Sequence, residues 1–182
     1  MGGKLTALAA AALELLALSL APAASAARVV SEKPTLERNV VARINAVRKN
    51  HGLRPLRVVP RLVEAADRHA GSMARASYFR HELFTPSRPR TWTPFGTWIR
   101  WFWPGPGYSS WSAGENLAWG APGITATQTV SRWMQSPGHR ANILHPSWRN
   151  IGLGAVHVQD PTGYYGSWDT VTIVVAEFGR RS

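Results

Sequence analysis

Three short segments hold the side chains able to do chemistry: Tyr78-Phe79-Arg80-His81, Gly114-Glu115-Asn116-Leu117-Ala118, and Ser136-Pro137-Gly138-His139-Arg140-Ala141-Asn142-Ile143-Leu144. Each sets an ionisable residue beside what reads as a turn or a helix boundary. Two neutral imidazoles and a carboxylate make a competent set for a divalent ion, typically zinc, with room left for water. The same three groups can serve as general acid and base without a metal. Spacing alone does not bring positions 81, 115 and 139 together, so both chemistries stay open beside an ordinary surface role for each His. The chain has no Cys, which excludes disulfides, thiolate zinc sites and Cys nucleophiles. Ser131 and Ser136 lack the strand-turn-helix pattern of an activated serine.

The elements that must position these segments follow from periodicity. Thr35 begins a helical pattern in which Leu36, Val40, Ile44 and Val47 recur at three- and four-residue spacing, and Gly52 stops it, giving a helix over about 35–50. Pro60 opens a second helix through Leu62, Ala65, Ala66, His69, Ala70 and Met73, whose small residues favour close packing. His69 shares a face with Ala66 and Met73 and reads as a packed histidine rather than a ligand. Residues 78–113 are rich in Pro, Gly and Trp. They read as a long, partly exposed aromatic insertion with about two helical turns at Phe95–Trp103. Thr125–Gln135 is helical again, and two strands follow, Ile151–Val158 and Asp169–Phe178, about a turn at Asp160-Pro161-Thr162-Gly163. Helices first and strands late, with no βαβ repeat, predict an α+β fold with an antiparallel sheet.

The first 26 residues read as a secretory leader: a basic start at Met1–Lys4, a Leu/Ala run over Leu5–Ala21, and the small-x-small pattern Ala24-Ser25-Ala26. Export and cleavage after Ala26 or Ala27 are expected, giving a secreted, extracellular protein. Glu14 within the apolar run keeps an uncleaved membrane anchor as the alternative. Residues 27–35 read as a linker, 36–178 as one domain and 179–182 as a tail. With 182 residues, 45% of them hydrophobic, one core without disulfides is feasible. Lys plus Arg number 21 against 10 Asp plus Glu, a net charge of +11 that favours anionic partners. The Arg residues are scattered, so a solvated basic surface is expected and no nucleic acid partner.

Six pieces in order carry a family resemblance: Asn45-x-x-Arg48-x-x-x-Gly52-Leu53-x-Pro55-Leu56; Leu62-x-x-Ala65-Ala66-x-x-His69-Ala70-x-x-Met73; Phe79-x-His81; Gly114 to Ala118; Val130-x-x-Trp133-Met134-x-Ser136 through Leu144; and Gly152-x-Gly154. Together they resemble the CAP superfamily of cysteine-rich secretory, antigen-5 and pathogenesis-related proteins, above all its bacterial SCP-like branch. The resemblance implies a three-layer α/β/α sandwich with a central antiparallel sheet. It also implies a cleft gathering two His and two acids, in some members around a divalent metal. Carried over, His81, Glu115 and His139 match three of these four groups. The second acid has no clear match, since Glu82 directly follows His81, and Gln135 and Ser136 stand where eukaryotic members carry an acid. A site of two histidines and one glutamate follows, holding zinc or another divalent cation.

Around that site, Glu82, Asn116, Arg140 and Asn142 are expected to support the cleft, and Trp98, Trp101, Trp103 and Trp111 to contact ligand. The expected protein is a monomeric extracellular binding or interaction module for lipid, cell-wall polymer or an anionic surface, with binding favoured over catalysis. Two rivals are a metal-assisted hydrolase of peptide or ester bonds, and a wall or membrane-surface protein with a vestigial cleft.

Overall fold

Alternation along three long strands decides which side chains meet. β5 (Trp111–Gly120), β6 (Asn150–Gln159) and β7 (Thr170–Arg181) pair antiparallel. In a strand, side chains point to opposite faces in turn. Val174, Ala176 and Phe178 therefore share one face with Leu153 and Ala155, while Val171, Ile173 and Val175 share the other with Val156 and Val158. The first face is covered by α1 (Pro34–Asn50), α4 (Ala126–Gln135) and α5 (Pro137–Leu144), through Val40, Ile44, Val130, Trp133 and Ile143. The second is covered by α2 (Pro60–Ala76), through Ala66, Ala70 and Met73. These are the three layers. The computed structural model describes residues 28–86 and 90–182, so the leader expected at 1–26 lies outside the described residues.

Three features of the sheet differ from expectation. Arg28–Glu32, read as linker, form β1, an antiparallel partner of β6 from Arg28↔Gln159 to Glu32↔Val156. Arg57–Val58 form β2, which pairs parallel with β6 at Asn150 and Ile151, so the sheet is mixed rather than purely antiparallel. The path runs β1-β6-β7-β5 with β2 on β6. β7 also continues through Arg181, into the residues read as a tail, because Trp111 and Ser112 of β5 pair with Arg181 and Arg180.

α2 lies unusually close to the sheet, and two glycines make that possible. A Cβ on Gly152 would stand 2.0 Å from the Leu62 carbonyl carbon, and one on Gly154 would stand 2.5 Å from that of Ala66. The helix backbone thus rests on β6 itself, bringing His69, one turn beyond Ala66, down onto β5 and β7.

The motif residues of α1 are structural clamps. Asn45 exchanges two hydrogen bonds with the Leu56 backbone, at 3.1 and 2.8 Å. Fully buried Arg48 donates to the carbonyls of Arg54, Ile143 and His145 at 2.9, 2.7 and 3.1 Å, tying α1 to the end of α5. β5 ends the sheet path, and an open strand edge invites further pairing. Here it is closed by side chains: Asn142, Trp133 and Arg132 donate to the carbonyls of Glu115, Leu117 and Trp119 at 3.0, 2.9 and 3.0 Å.

The aromatic insertion is partly exposed, as expected, with Trp92, Trp101 and Tyr108 at the surface and a few rings sealed in the core. Trp98 and Trp103 are fully buried with Leu62, Ala65, Leu83 and Ile99. The helical stretch is shorter than expected, α3 being Phe95–Trp98 followed by a 3-10 turn at Ile99–Trp101. Ahead of them in the chain, β3 (Leu83–Thr85) and β4 (Thr91–Thr93) form a small two-stranded sheet.

Candidate functional site

Glu115 is not at a turn, as its Gly and Asn neighbours suggested, but in the middle of β5, directly opposite Glu177 of β7. Cross-strand partners of this kind point to the same face with Cβ atoms about 5 Å apart. Parity puts both on the α2 face, since Leu117 and Val175, two positions away, lie there. Both carboxyls are buried, and His69 joins them from α2 with no exposure.

The Glu115 carboxylate is fully engaged. Its Oε2 accepts from His69 Nδ1 at 2.5 Å and its Oε1 from His81 Nδ1 at 2.6 Å. The two imidazoles differ sharply: the His69 side chain is sealed, whereas that of His81 is 55% exposed. The loop carrying His81 is pinned by Trp98 Nε1, which donates to the His81 carbonyl at 3.1 Å. Tyr78 reinforces it, donating to Ser72 Oγ at 2.9 Å and accepting from the Phe84 amide at 3.1 Å. With Nδ1 donating to a carboxylate, the other ring nitrogen of His81 is the acceptor, the form that binds metals.

His139 sits in the first turn of α5, held against β5 by amides. Asn116 Nδ2 donates to the His139 carbonyl at 3.0 Å, and Asn142 Nδ2 donates to Asn116 Oδ1 at 2.9 Å. Asn116 and Asn142 therefore tie α5 to β5 beside His139. Arg140 does not, because its position in α5 is exposed and the amide network bypasses it. Glu82 is half-buried, and its charge acts on the His81 ring. Of the four Trp residues expected to meet ligand, Trp98 and Trp103 cannot, being sealed in the core, while Trp101 is exposed and Trp111 half-buried.

Electrostatics separate the four ionisable side chains further. The Glu115 hydrogen bond raises His81 above the usual imidazole value against the opposing effect of burial, with the charges of Glu115 and Glu82 adding to it. His139 is lowered, by burial and then by the His81 charge, so its ring stays neutral. Burial pushes Glu115 upward, but its hydrogen bonds from His69 and His81 outweigh that and hold it below the usual carboxylate range. Glu177 goes the other way: burial, then the charge of Glu115, push it well above the ordinary value.

Sequence reasoning missed two members of this constellation. His69 passed as a packed residue, which it also is, its ring meeting the edge of Trp98 at 4.9 Å between centroids. Glu177 went unremarked within a Val/Ile run, although its inward parity is readable from that run. One ligand atom each from His69, Glu115 and Glu177 lie within 4.8 Å of one another, and this buried group could hold a metal ion. His139 stands outside it.

Solved structures with the same layering have been described as extracellular or surface proteins. An SCP-domain extracellular protein from Bacillus anthracis aligns with a TM-score of 0.60 at 22% identity, over 81% of this chain and 41% of that one. An outer surface protein from Borrelia burgdorferi aligns at 0.64 and 21% identity, over 85% of this chain and 98% of that one. At such identities the likeness speaks for the fold, an SCP/CAP sandwich. The sequence goes further: the profile of the cysteine-rich secretory protein family, CAP, matches residues 41–178, and the chain belongs to that family. It is also 37% identical over 120 residues to the uncharacterized protein YkwD of Bacillus subtilis, spanning 66% of this chain but under half, 42%, of that relative. No helix among the described residues is long and apolar enough to cross a membrane.

Proposed function

We propose that the protein is an exported binding module that meets an anionic surface outside the membrane, with the His81/His139 cleft as its polar contact. One observation carries the choice of binding over catalysis: both oxygens of Glu115, the cleft carboxylate, are occupied by imidazoles, and its side chain is 1% exposed. A hydrolase of the expected kind needs a carboxylate free to take a proton from water. Here that carboxylate orients histidines instead. The net charge of +11 and the exposed Trp92, Trp101 and Tyr108 supply attraction and stacking surface.

Zinc or another divalent ion at the cleft mouth would be held by the acceptor nitrogen of His81 and the neutral ring of His139, with Glu115 fixing the His81 tautomer. Such an ion would supply Lewis acidity toward an oxygen of the ligand. The chain's own residues contribute the rest: Asn116 and Asn142 hold α5 in place, and Trp98 holds the His81 loop.

The test is co-sedimentation of the full chain with anionic lipid vesicles and, separately, with an anionic wall polymer, across a salt series. Binding to one of them that weakens with salt and falls in Trp101→Ala or His81→Ala/His139→Ala supports the module. Binding to neither, or hydrolysis of peptide or ester bonds lost in the double variant, refutes it.

A further inference from the structure

The buried side of Glu115 asks for something that the cleft does not supply. Glu177 is fully buried and its carboxyl meets only the Glu115 carboxyl across the strand pair, with no other hydrogen-bond partner among the described residues, while His69 Nε2 has no partner among them at all. Leaving a buried polar group unpaired is costly, and natural folds rarely do so without a ligand, water or ion to complete it. Two further buried orphan atoms, Arg48 Nη2 and Trp148 Nε1, lie on the opposite face, but the orphan atoms of His69 and Glu177 lie together. They belong to the residues that, with Glu115, present three ligand atoms within 4.8 Å of one another, from three separate elements, α2, β5 and β7.

From this geometry we infer that His69, Glu115 and Glu177 form a buried seat for one divalent transition ion, zinc, distinct from any ion held at the cleft mouth by His81 and His139. Bonds near 2.1 Å place tetrahedral ligand atoms about 3.4 Å apart, so side-chain adjustments of about an ångström close the present spacing around an ion. Two carboxylates and an imidazole match the divalent charge. The nitrogen donor and the small ligand number select against calcium and magnesium, which want six or more oxygens or a shell of waters. Three protein ligands leave one tetrahedral position for a trapped water, and burial keeps substrate from it, so the ion's role is structural: it cross-links the helix to two strands in a chain that has no Cys for a disulfide. The exposed His81 ring covers Glu115 from the solvent side and is the natural point of entry.

The inference does not depend on the binding function proposed above, and the test separates the two. The full chain and its Glu177→Gln and His139→Ala variants are stripped with chelator, reloaded with zinc chloride, desalted, and their ion content and melting curves compared. Glu177→Gln keeps the shape of the protonated acid, so its metal-free circular dichroism and melting midpoint serve as the folding control. The expected result is one ion fewer per chain in Glu177→Gln than in the wild type, with the buried ion retained in His139→Ala. At about a hundred times the dissociation constant, that ion raises the wild-type midpoint by about 5–10 °C, a rise absent from Glu177→Gln. His69→Gln removes a ligand from another element and gives the same loss. Equal ion counts in wild type and Glu177→Gln, zero in both included, overturn the buried seat. Loss in both His139→Ala and Glu177→Gln of a single ion, from a wild type that holds only one, overturns its separateness. Failure of vesicle and polymer binding with the buried ion present breaks only the binding proposal.

Discussion

The two faces of the sheet bury polar groups to opposite ends. On the face beneath α1, α4 and α5, most buried and half-buried polar side chains are neutral or cationic donors spent on backbone carbonyls and on each other: Arg48 on three carbonyls, Asn45 on Leu56, Asn116 and Asn142 on the β5–α5 seam. Arg48 Nη2 and Trp148 Nε1 stay unpaired there, and Glu37 accepts from the Ala155 amide. On the α2 face the polar groups are ionisable: two carboxyls and an imidazole, with three of their atoms unpaired. A satisfied buried network fixes a fold, whereas a partly satisfied one marks a place where something else binds or a proton is stored. The first face therefore positions the cleft and the second supplies its chemistry.

The largest effect that would sharpen this contrast is steric. Gly152→Ala sets a methyl against the backbone of α2 at Leu62, which cannot yield as a flexible side chain would. It should lift α2 from β6, carry His69 away from Glu115, and destabilise the protein by more than about 4 kcal/mol in urea unfolding. A loss under about 1 kcal/mol would mean that α2 does not rest on the sheet.

Next come two substitutions of opposite sign. Arg48→Ala leaves three buried or half-buried carbonyls without a donor and opens a cavity, and should destabilise by about 4 kcal/mol. Glu177→Leu removes unpaired buried oxygens in favour of an apolar side chain, and in chelator-treated protein should be neutral or stabilising by about 1–2 kcal/mol. If both destabilise alike, the two faces do not differ in the way described.

This contrast also explains what could be read from the chain alone. The helices at 34–50, 60–76 and 126–135 and the strands β6 and β7 announce themselves by periodicity, and the ordered motifs carried the family. β5 did not: Gly, Glu and Asn are poor strand formers, and it is a strand because ten residues pair with β7. Arg28–Glu32 likewise becomes a strand only against β6. His81, Glu115 and Asn142 were legible as site residues through their motifs. Glu177 was hidden because its importance lies in facing Glu115 across a strand pair separated by some sixty residues of chain, a register no local pattern encodes. Trp98 and Trp103 misled for a related reason, since Pro and Gly around them suggested exposure, while the irregular backbone they sit on folds over the α2 end of the core.

A smaller effect, titration, probes the ionisable face in metal-free protein. His81 is raised on folding, so its contribution is present below its unfolded value and lost as pH rises through its folded value. Glu115 is depressed, so its contribution is present above the ordinary carboxylate value and lost as pH falls through its lower folded value. Glu177 is raised, so the folded state binds a proton that the unfolded chain releases, and stability declines as pH climbs from the ordinary carboxylate range toward its folded value. Urea midpoints should accordingly fall from mildly acid pH upward, and Glu177→Gln should remove the Glu177 part of that slope while leaving the His81 part. An unchanged slope would show that Glu177 is ionised in the folded protein.

The smallest expected effect sets the baseline for the others. Arg140 and Asn142 stand two residues apart in one motif and looked equivalent in the sequence, but only Asn142 bonds β5. Arg140→Ala should stay within about 0.5 kcal/mol of wild type, as exposed substitutions do. Asn142→Ala strips the donor from the Glu115 carbonyl and from Asn116, and should cost about 1–3 kcal/mol while loosening His139. Loosening would appear as faster amide exchange along α5 in the Asn142 variant alone. The same acceleration in both variants would place the hold on α5 in the helix itself rather than in its amide seam with β5.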